Sequence, residues 1–183
     1  MGVSIVRWDA EVAEIRLRTR RRWRAAAGMA IGLILVSIIG DHLRAKNSFA
    51  NDWARFDGRE VQFVRVIDGE SILVREGISD DLVTVKLLGI KSFGGPLEKG
   101  LADGADSQLA GQTIVLHLGP TRSRDESGRL LADGLLEDGD PVSARMVLMG
   151  VALADRSSSS AFLGAVERAQ TQARRRGVGM WAK

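Results

Sequence analysis

Cysteine and tyrosine are both absent from this chain of 183 residues, and aromatic residues make up only 5% of it. The absence of cysteine excludes disulfides, thiolate metal sites and a cysteine nucleophile, but it leaves the cellular compartment open. The absence of tyrosine means that no phenol ring is available to stack on a ligand. With 45% apolar and 27% charged residues, the composition is that of one globular domain with an extension.

Positive charge is concentrated at the amino terminus. Eight of the 26 basic residues but only four of the 23 acidic residues lie within the first 44 positions, so the remaining chain is close to neutral although the net charge is +3. A protein that follows a phosphate backbone carries its excess positive charge on the domain that contacts that backbone. The charge distribution therefore disfavours strong nucleic-acid binding by the remaining chain.

An uncharged run of 16 residues extends from Ala25 to Gly40. As a helix it reaches roughly 24 Å, and flanking residues such as Trp23 and Arg44 extend it toward the roughly 30 Å hydrocarbon core by snorkelling. We predict a transmembrane helix over residues 25–44. A cleaved signal peptide is the alternative, although Asp41–Arg44 offers no small-x-small cleavage site.

Seven arginines precede this run, which by the positive-inside rule places the amino terminus in the cytoplasm and the remaining domain outside it, in the periplasm. Residues 1–24 are predicted to form a cytoplasmic basic amphipathic segment, with residues 45–58 as a linker. The basic segment carries an apolar stripe that can lie on anionic lipid or pack against a partner helix. The membrane and other membrane-protein subunits are therefore the expected partners. A basic tail that only sets the topology remains the alternative. The stripe comprises Ile5, Trp8, Val12 and Ile15.

Alternating apolar residues predict three strands between Val64 and Leu88. The first two form a hairpin around a turn at Asp68-Gly69. In the third strand Val85 and neighbouring odd-numbered residues face the core, and Lys86 faces away from it, because strand side chains have a period of two.

Two runs in this stretch resemble the staphylococcal nuclease (thermonuclease) family. Val66–Ile72, VIDGESI, is similar to the family's V-I-D-G-D-T-I run, and Val85–Gly94, VKLLGIKSFG, is similar to V-R-L-x-G-I-D-A-P-E. Arg124–Ala132 resembles D-R-Y-G-R-L-L-A, and Gly177–Trp181 resembles a terminal G-x-W. The resemblance implies a mainly β fold with α-helices: a five-stranded OB-fold barrel with about three helices, over residues 59–183.

The remaining elements follow from local signals. A strand is predicted over Thr113–Leu118, and its exposed His117 is expected to be a surface residue rather than a metal ligand. One helix is predicted from Leu97 to about Leu109, a second from an Asp140 N-cap with Pro141 at its first position to Gly150, and a last one ending near Arg176.

The resemblance also implies where a catalytic site would lie. Glu70 occupies one metal-carboxylate position, with Asp68 beside it, and these two are the metal ligands if the site is active, with Ca²⁺ as the cofactor. Lys91 occupies the other carboxylate position, where an ammonium repels a cation. The position of the general base holds Gly94, unless Glu98 folds back into the site. The phosphate-gripping arginine positions hold Lys86 and Arg129, the residual catalytic candidates.

These replacements lead to the hypothesis that Lys91 fills the former cation site and pairs with Asp68 or Glu70; a solvated loop lysine is the alternative. The favoured function is a membrane-anchored pseudoenzyme without cofactor, which acts as an interaction or accessory subunit. The alternative is an extracytoplasmic metal-dependent nuclease acting on DNA or RNA. A binding module for single-stranded nucleic acid or a glycan is disfavoured by the scarcity of aromatics.

Overall fold

The structure, a computed structural model, describes residues 51–77 and 79–182. The predicted basic segment 1–24 and transmembrane helix 25–44 lie outside these ranges. Within the ranges, no helix has both the length and the hydrophobicity that crossing a bilayer requires.

Five strands close into a barrel in the order β1-β2-β3-β6-β5, with β5 pairing back onto β1. The β3–β6 pair is parallel, and the other neighbours are antiparallel. These strands are β1 (Glu60–Asp68), β2 (Ser71–Glu76), β3 (Leu82–Leu87), β5 (Thr113–Leu118) and β6 (Leu130–Leu136). The prediction of a five-stranded OB-type barrel is therefore confirmed.

Four helices surround the barrel within the described residues: α1 (residues 51–56), α2 (Gly95–Leu109), α3 (Val142–Leu148) and α4 (Leu163–Arg176). A single 3-10 turn, Gly179–Trp181, follows α4. The sequence did not predict the two-residue strands β4 (Ile90–Lys91) and β7 (Leu153–Ala154), which pair with each other outside the barrel. Strands this short carry no periodic signal.

The core fills the barrel from alternate strand positions, as the sequence pattern predicts. Val85 and Leu87 of β3 are at most 1% exposed, whereas the Lys86 side chain between them is 30% exposed. In β5, Ile114 and Leu116 are fully buried. Burying such side chains gains roughly 1.5–3 kcal/mol each, so this alternation fixes the register of the strands.

Two local predictions are wrong by one residue. The hairpin turn lies at Gly69-Glu70 rather than Asp68-Gly69, because Asp68 still pairs with Ser71. Helix α3 is capped by Pro141, not by Asp140. Pro141 stays extended because it bridges to Leu135 of the barrel, so the helix begins one residue later. The predicted end of the helix at Gly150 is confirmed by its left-handed φ of 71°.

Helix α1 occupies part of the segment predicted as a linker, and side-chain bonds tie it to the barrel. Phe56 packs into the core with 1% exposure, as its aromatic character predicts. The buried Asp52 carboxylate accepts hydrogen bonds from Ser123 and Arg124. On the same helix, Arg55 pairs with Glu76 at the end of β2. Residues 51–56 are therefore part of the packed domain.

Candidate functional site

The β1–β2 turn positions Glu70, the first of the predicted site residues. The Asp68 carboxylate accepts the backbone N–H of Glu70 at 2.9 Å, an Asx-type turn that fixes the approach to β2. Asp68 therefore shapes the turn, and Glu70 projects from it with 17% of its side chain exposed. Neither role requires a metal ion.

Glu70 lies between two cations. Its Oε1 atom is 3.0 Å from the Lys86 ammonium and 3.1 Å from the Arg129 guanidinium. The same guanidinium nitrogen donates to the hydroxyl of Ser71 at 2.9 Å, and Arg129 Nε donates to Asp125 at 2.7 Å. Glu70, Lys86, Arg129 and Asp125 therefore form one half-buried ion network, which we call the Glu70 network.

Strand pairing explains why residues distant in sequence meet in this network. Lys86 in β3 lies opposite Ser71 in β2, next to Glu70. Arg129 directly precedes β6, whose first residue, Leu130, pairs in parallel with Val85 of β3. Both cations are thus brought to the same end of the barrel as the β1–β2 turn. Three of the predicted site residues, Glu70, Lys86 and Arg129, converge.

Arg129 is held as a cation in a fixed orientation. Burial disfavours its charge, but the hydrogen bonds and attraction of Asp125 and Glu70 outweigh burial and raise the pKa of Arg129. Burial likewise opposes the ionisation of Asp125, yet hydrogen bonds from the side chain and backbone of Arg129 lower its pKa. Hence the guanidinium is already satisfied by carboxylates on two sides.

Lys91 does not join this network. Its side chain is exposed on β4 and makes no ion pair with Asp68 or Glu70, so the predicted pairing is absent. The reason is that β4 pairs with β7, which places Lys91 opposite Leu153 and near Asp155. Hydrogen bonds from Ser157 are the main cause of the lowered pKa of Asp155, with smaller attractions from Lys91 and Lys86.

Glu98 folds back onto the β1–β2 turn, but as a structural acceptor rather than a free base. The carboxylate is 5% exposed and accepts backbone N–H groups of Gly69 at 3.0 Å, Phe93 at 2.7 Å and Gly94 at 2.8 Å. The hydroxyl of Ser92 donates to it as well. Burial opposes ionisation, but these bonds outweigh it and lower the pKa of Glu98.

Both oxygens of the Glu98 carboxylate thus accept hydrogen bonds from the chain itself, which ties the β1–β2 turn to the start of α2. Sequence reasoning missed this anchoring role. Its signal is a glutamate in the first turn of α2, four residues after the Gly94 N-cap, from which a side chain can reach back to free N–H groups as in a capping box.

The residues present do not fit a calcium site of the kind the resemblance implies. Calcium takes six to eight oxygen ligands, whereas Glu70 already carries two cations on one oxygen. Between residues 51 and 182, leaving aside position 78, no group of three or more His, Cys, Asp or Glu side chains is placed to hold a metal ion.

A shallow groove of about 290 Å³ adjoins the Glu70 network on the outer side of β3. Arg124, Ser127 and Arg129 line it together with Thr84, and no aromatic side chain is among the lining residues. Ser127 lies directly before Gly128, where the resembling motif has its ring. The groove therefore offers cations and hydroxyls but no stacking surface.

His117 is exposed on β5, as predicted, and lies opposite Asp133 of β6. Asp133 is 4% exposed and accepts hydrogen bonds from the hydroxyl of Ser160 at 2.6 Å and the N–H of Ala161 at 3.0 Å. Burial nevertheless raises the pKa of Asp133. This carboxylate fixes the segment before α4 to the barrel.

Comparison with known proteins agrees with a staphylococcal nuclease-like domain. Residues 102–183 match the family model described as Staphylococcal nuclease homologue. No curated protein matches the chain. The matched range contains Asp125 and Arg129 but not Glu70, Lys86 or Lys91. The carboxyl-terminal part of the domain is thus similar to the staphylococcal nuclease family.

Proposed function

We propose that this protein is a membrane-anchored, nuclease-like barrel that has lost catalysis and acts as an interaction or accessory subunit of a membrane assembly. The observation that carries the proposal is the internal neutralisation of Glu70 by Lys86 and Arg129. A carboxylate that binds a metal ion must direct free oxygens at it. In this site the Lys86 ammonium and the Arg129 guanidinium, rather than a metal ion, contact the Glu70 carboxylate.

The other parts of a hydrolytic site also support the proposal. Phosphodiester hydrolysis needs a base that orients water and cationic groups free to hold the phosphate. Gly94 has no side chain, and the carboxylate oxygens of Glu98 accept hydrogen bonds from backbone N–H groups. Arg129 is bound to Glu70 and Asp125. In this proposal the nuclease-like barrel is retained, while the side chains at the catalytic positions bind other groups of the protein.

The catalytic part of the proposal is tested with the purified full chain. We expect no cleavage of DNA or RNA in calcium, magnesium or manganese, and no saturable calcium binding by calorimetry. Saturable binding that disappears in Glu70→Gln would contradict the proposal, because it would show that a metal ion displaces Lys86 and Arg129 from the carboxylate.

Retention of Arg129 beside Glu70 favours one alternative, an extracytoplasmic metal-dependent nuclease with an altered site. Cleavage that is lost in Arg129→Ala but kept in Arg122→Ala would establish it. Arg122 is a suitable control because it is an exposed arginine of the same β5–β6 connection that lies outside the Glu70 network. Equal activity of both variants would point to a contaminating nuclease.

The accessory role and the location rest on the sequence of residues 1–44. Gentle solubilisation of the membrane should recover the chain in a complex of defined stoichiometry, and recovery only as a free monomer would contradict the role.

Because the chain has no cysteine, a single Ser127→Cys variant reports topology. A membrane-impermeant maleimide should label it in cells whose periplasm is accessible without lysis of the cytoplasmic membrane.

A further inference from the structure

The outer face of α4 carries arginines that the barrel does not use. Arg168 and Arg175 are seven residues apart on this helix, so they project from the same face about 10 Å apart along its axis. Both are exposed, and neither makes an ion pair with a described carboxylate. Two uncompensated guanidinium groups therefore point into solvent side by side.

A groove of about 660 Å³ runs along this surface, and we call the arginines and uncharged polar side chains that line it the α4 arginine face. Arg156, from the loop before the helix, adds a third cation at its edge; the one carboxylate in the groove, Glu167, pairs with Arg156. The face thus has an excess of positive charge. Its residues are Arg156, Arg168, Thr171, Gln172 and Arg175.

The opposite face of α4 holds the helix rigidly. Val166, Ala169 and Ala173 are buried against the domain. Arg174 is not part of the arginine face because its guanidinium stacks on the Trp181 ring at 4.4 Å. Packing of the helix therefore keeps the face that carries Arg168 and Arg175 turned toward solvent.

We propose that the α4 arginine face binds the headgroups of a bilayer that contains anionic phospholipid. Guanidinium groups pair well with phosphate, and charge attraction to anionic lipid needs no apolar insertion. Among the described residues, the exposed large hydrophobic side chains lie in β1, β3 and α2 and none lies on α4, so the contact is electrostatic. This inference rests on the membrane anchoring proposed above, which keeps the domain near headgroups.

Nucleic acid is the competing polyanion, and the lining of the groove disfavours it. No aromatic side chain is present in the groove to stack on a base. The helix of 14 residues is about 21 Å long, so its face offers only a short cationic stripe. Each arginine close to an anionic bilayer strengthens association roughly fivefold, so the few arginines of this face give a modest association, which tethering strengthens.

The absence of cysteine allows a site-specific test in the full chain. An environment-sensitive fluorophore on Thr171→Cys reports the arginine face in the protein reconstituted into nanodiscs. We expect its emission to differ between phosphatidylcholine discs and discs that also contain phosphatidylglycerol, and the difference to vanish at high salt. The emission difference between the two kinds of disc should be lost in Arg168→Glu/Arg175→Glu and reduced in Arg168→Gln/Arg175→Gln. The matched control, Lys99→Glu/Arg122→Glu, changes the net charge equally on other exposed elements and should keep it.

Three outcomes would overturn the inference: equal emission in both kinds of disc, equal loss in the control, or an emission change caused by duplex or single-stranded oligonucleotide instead of lipid. Failure of the chain to enter neutral discs would instead contradict the anchoring. In that case, sedimentation of the chain with phosphatidylglycerol vesicles that is weakened in Arg168→Glu/Arg175→Glu but kept in Lys99→Glu/Arg122→Glu would still support the arginine face. Equal sedimentation of the two variants would overturn it.

Discussion

The carboxylate of Glu70 and the guanidinium of Arg129 lie 3.1 Å apart, although 59 positions separate them in the chain. Glu70 lies in the β1–β2 turn and Arg129 directly precedes β6, and only closure of the barrel brings them together. The pair, completed by Lys86, satisfies within the protein a carboxylate that the resemblance assigns to a metal ion.

Neutralising Glu70 tests this pair directly. We expect Glu70→Gln to lower the free energy of unfolding by about 1 kcal/mol, because the network loses its central anion. The effect is no larger because solvent screens the ion pairs of this half-buried network. Urea unfolding with and without calcium measures this. Calcium should stabilise neither protein; stabilisation of the wild type alone would show a metal bound to Glu70.

Glu98→Gln is expected to destabilise the domain by about 3 kcal/mol, because an amide cannot accept all the hydrogen bonds that the buried carboxylate accepts. Because the pKa of Glu98 is lowered by folding, its contribution is present above the unfolded pKa of about 4.3 and is lost as the pH falls through the folded pKa. The stability difference between wild type and variant should therefore shrink below about pH 4.

The control for this variant is Glu126→Gln, at an exposed glutamate in the turn before β6. Urea midpoints over an acid pH series should hardly distinguish it from the wild type. A Glu98→Gln variant as stable as this control would mean that the Glu98 carboxylate does not hold the β1–β2 turn.

Asp133 should show the opposite pH trend, because burial raises its pKa. A carboxyl group with a raised folded pKa contributes stability that is present below the unfolded pKa of about 3.9 and is lost as the pH rises through the folded value. Relative to Asp133→Asn, the wild type should lose stability as the pH rises from about 4 toward neutrality. A difference that instead grew with pH would contradict the assigned direction.

Gly69 has no room for a side chain. A Cβ atom there would lie 2.8 Å from both the Glu98 carboxylate and the carbonyl oxygen of Val151. We expect Gly69→Ala to lower the free energy of unfolding by about 1–3 kcal/mol through overpacking. Thermal unfolding is the measurement, with Gly104→Ala as the control.

Gly104 lies in α2, where a methyl group would meet no atom within 4 Å apart from the backbone of its own helix and its chain neighbours. Its replacement by alanine should stabilise the helix by about 0.5–1 kcal/mol. If both variants behaved alike, the close approach of Glu98 and Val151 to Gly69 would not exist in solution.

Asp52→Asn tests whether α1 belongs to the folded domain. The buried carboxylate accepts hydrogen bonds from Ser123 and Arg124. We therefore expect the substitution to lower the free energy of unfolding by about 1–2 kcal/mol. Hydrogen exchange should show faster exchange at the β5–β6 connection as well as in α1. A change confined to α1 would mean that Asp52 does not tie the helix to the β5–β6 connection.

Four of the five barrel strands could be predicted from the pattern of apolar residues, and the family resemblance implied the barrel that they form. Alternation in β1, β2, β3 and β5 specifies which side chains enter the core, since burial of Val85, Leu87, Ile114 and Leu116 has a large energy and a period of two. The glycine at position 150 likewise marks the end of α3, because a left-handed residue is needed there. The family resemblance selected Glu70, Lys86 and Arg129 as residues of one site.

The contacts that these residues make depend on how distant parts of the chain pack together. The partner of a charged side chain depends on strand register and loop paths that join distant segments, and local sequence carries no information about them. Lys91 therefore neighbours Asp155 rather than Glu70, because the short β4 pairs with β7. Glu98 became the anchor of the β1–β2 turn for the same reason: its donors come from two segments that meet only in the folded barrel.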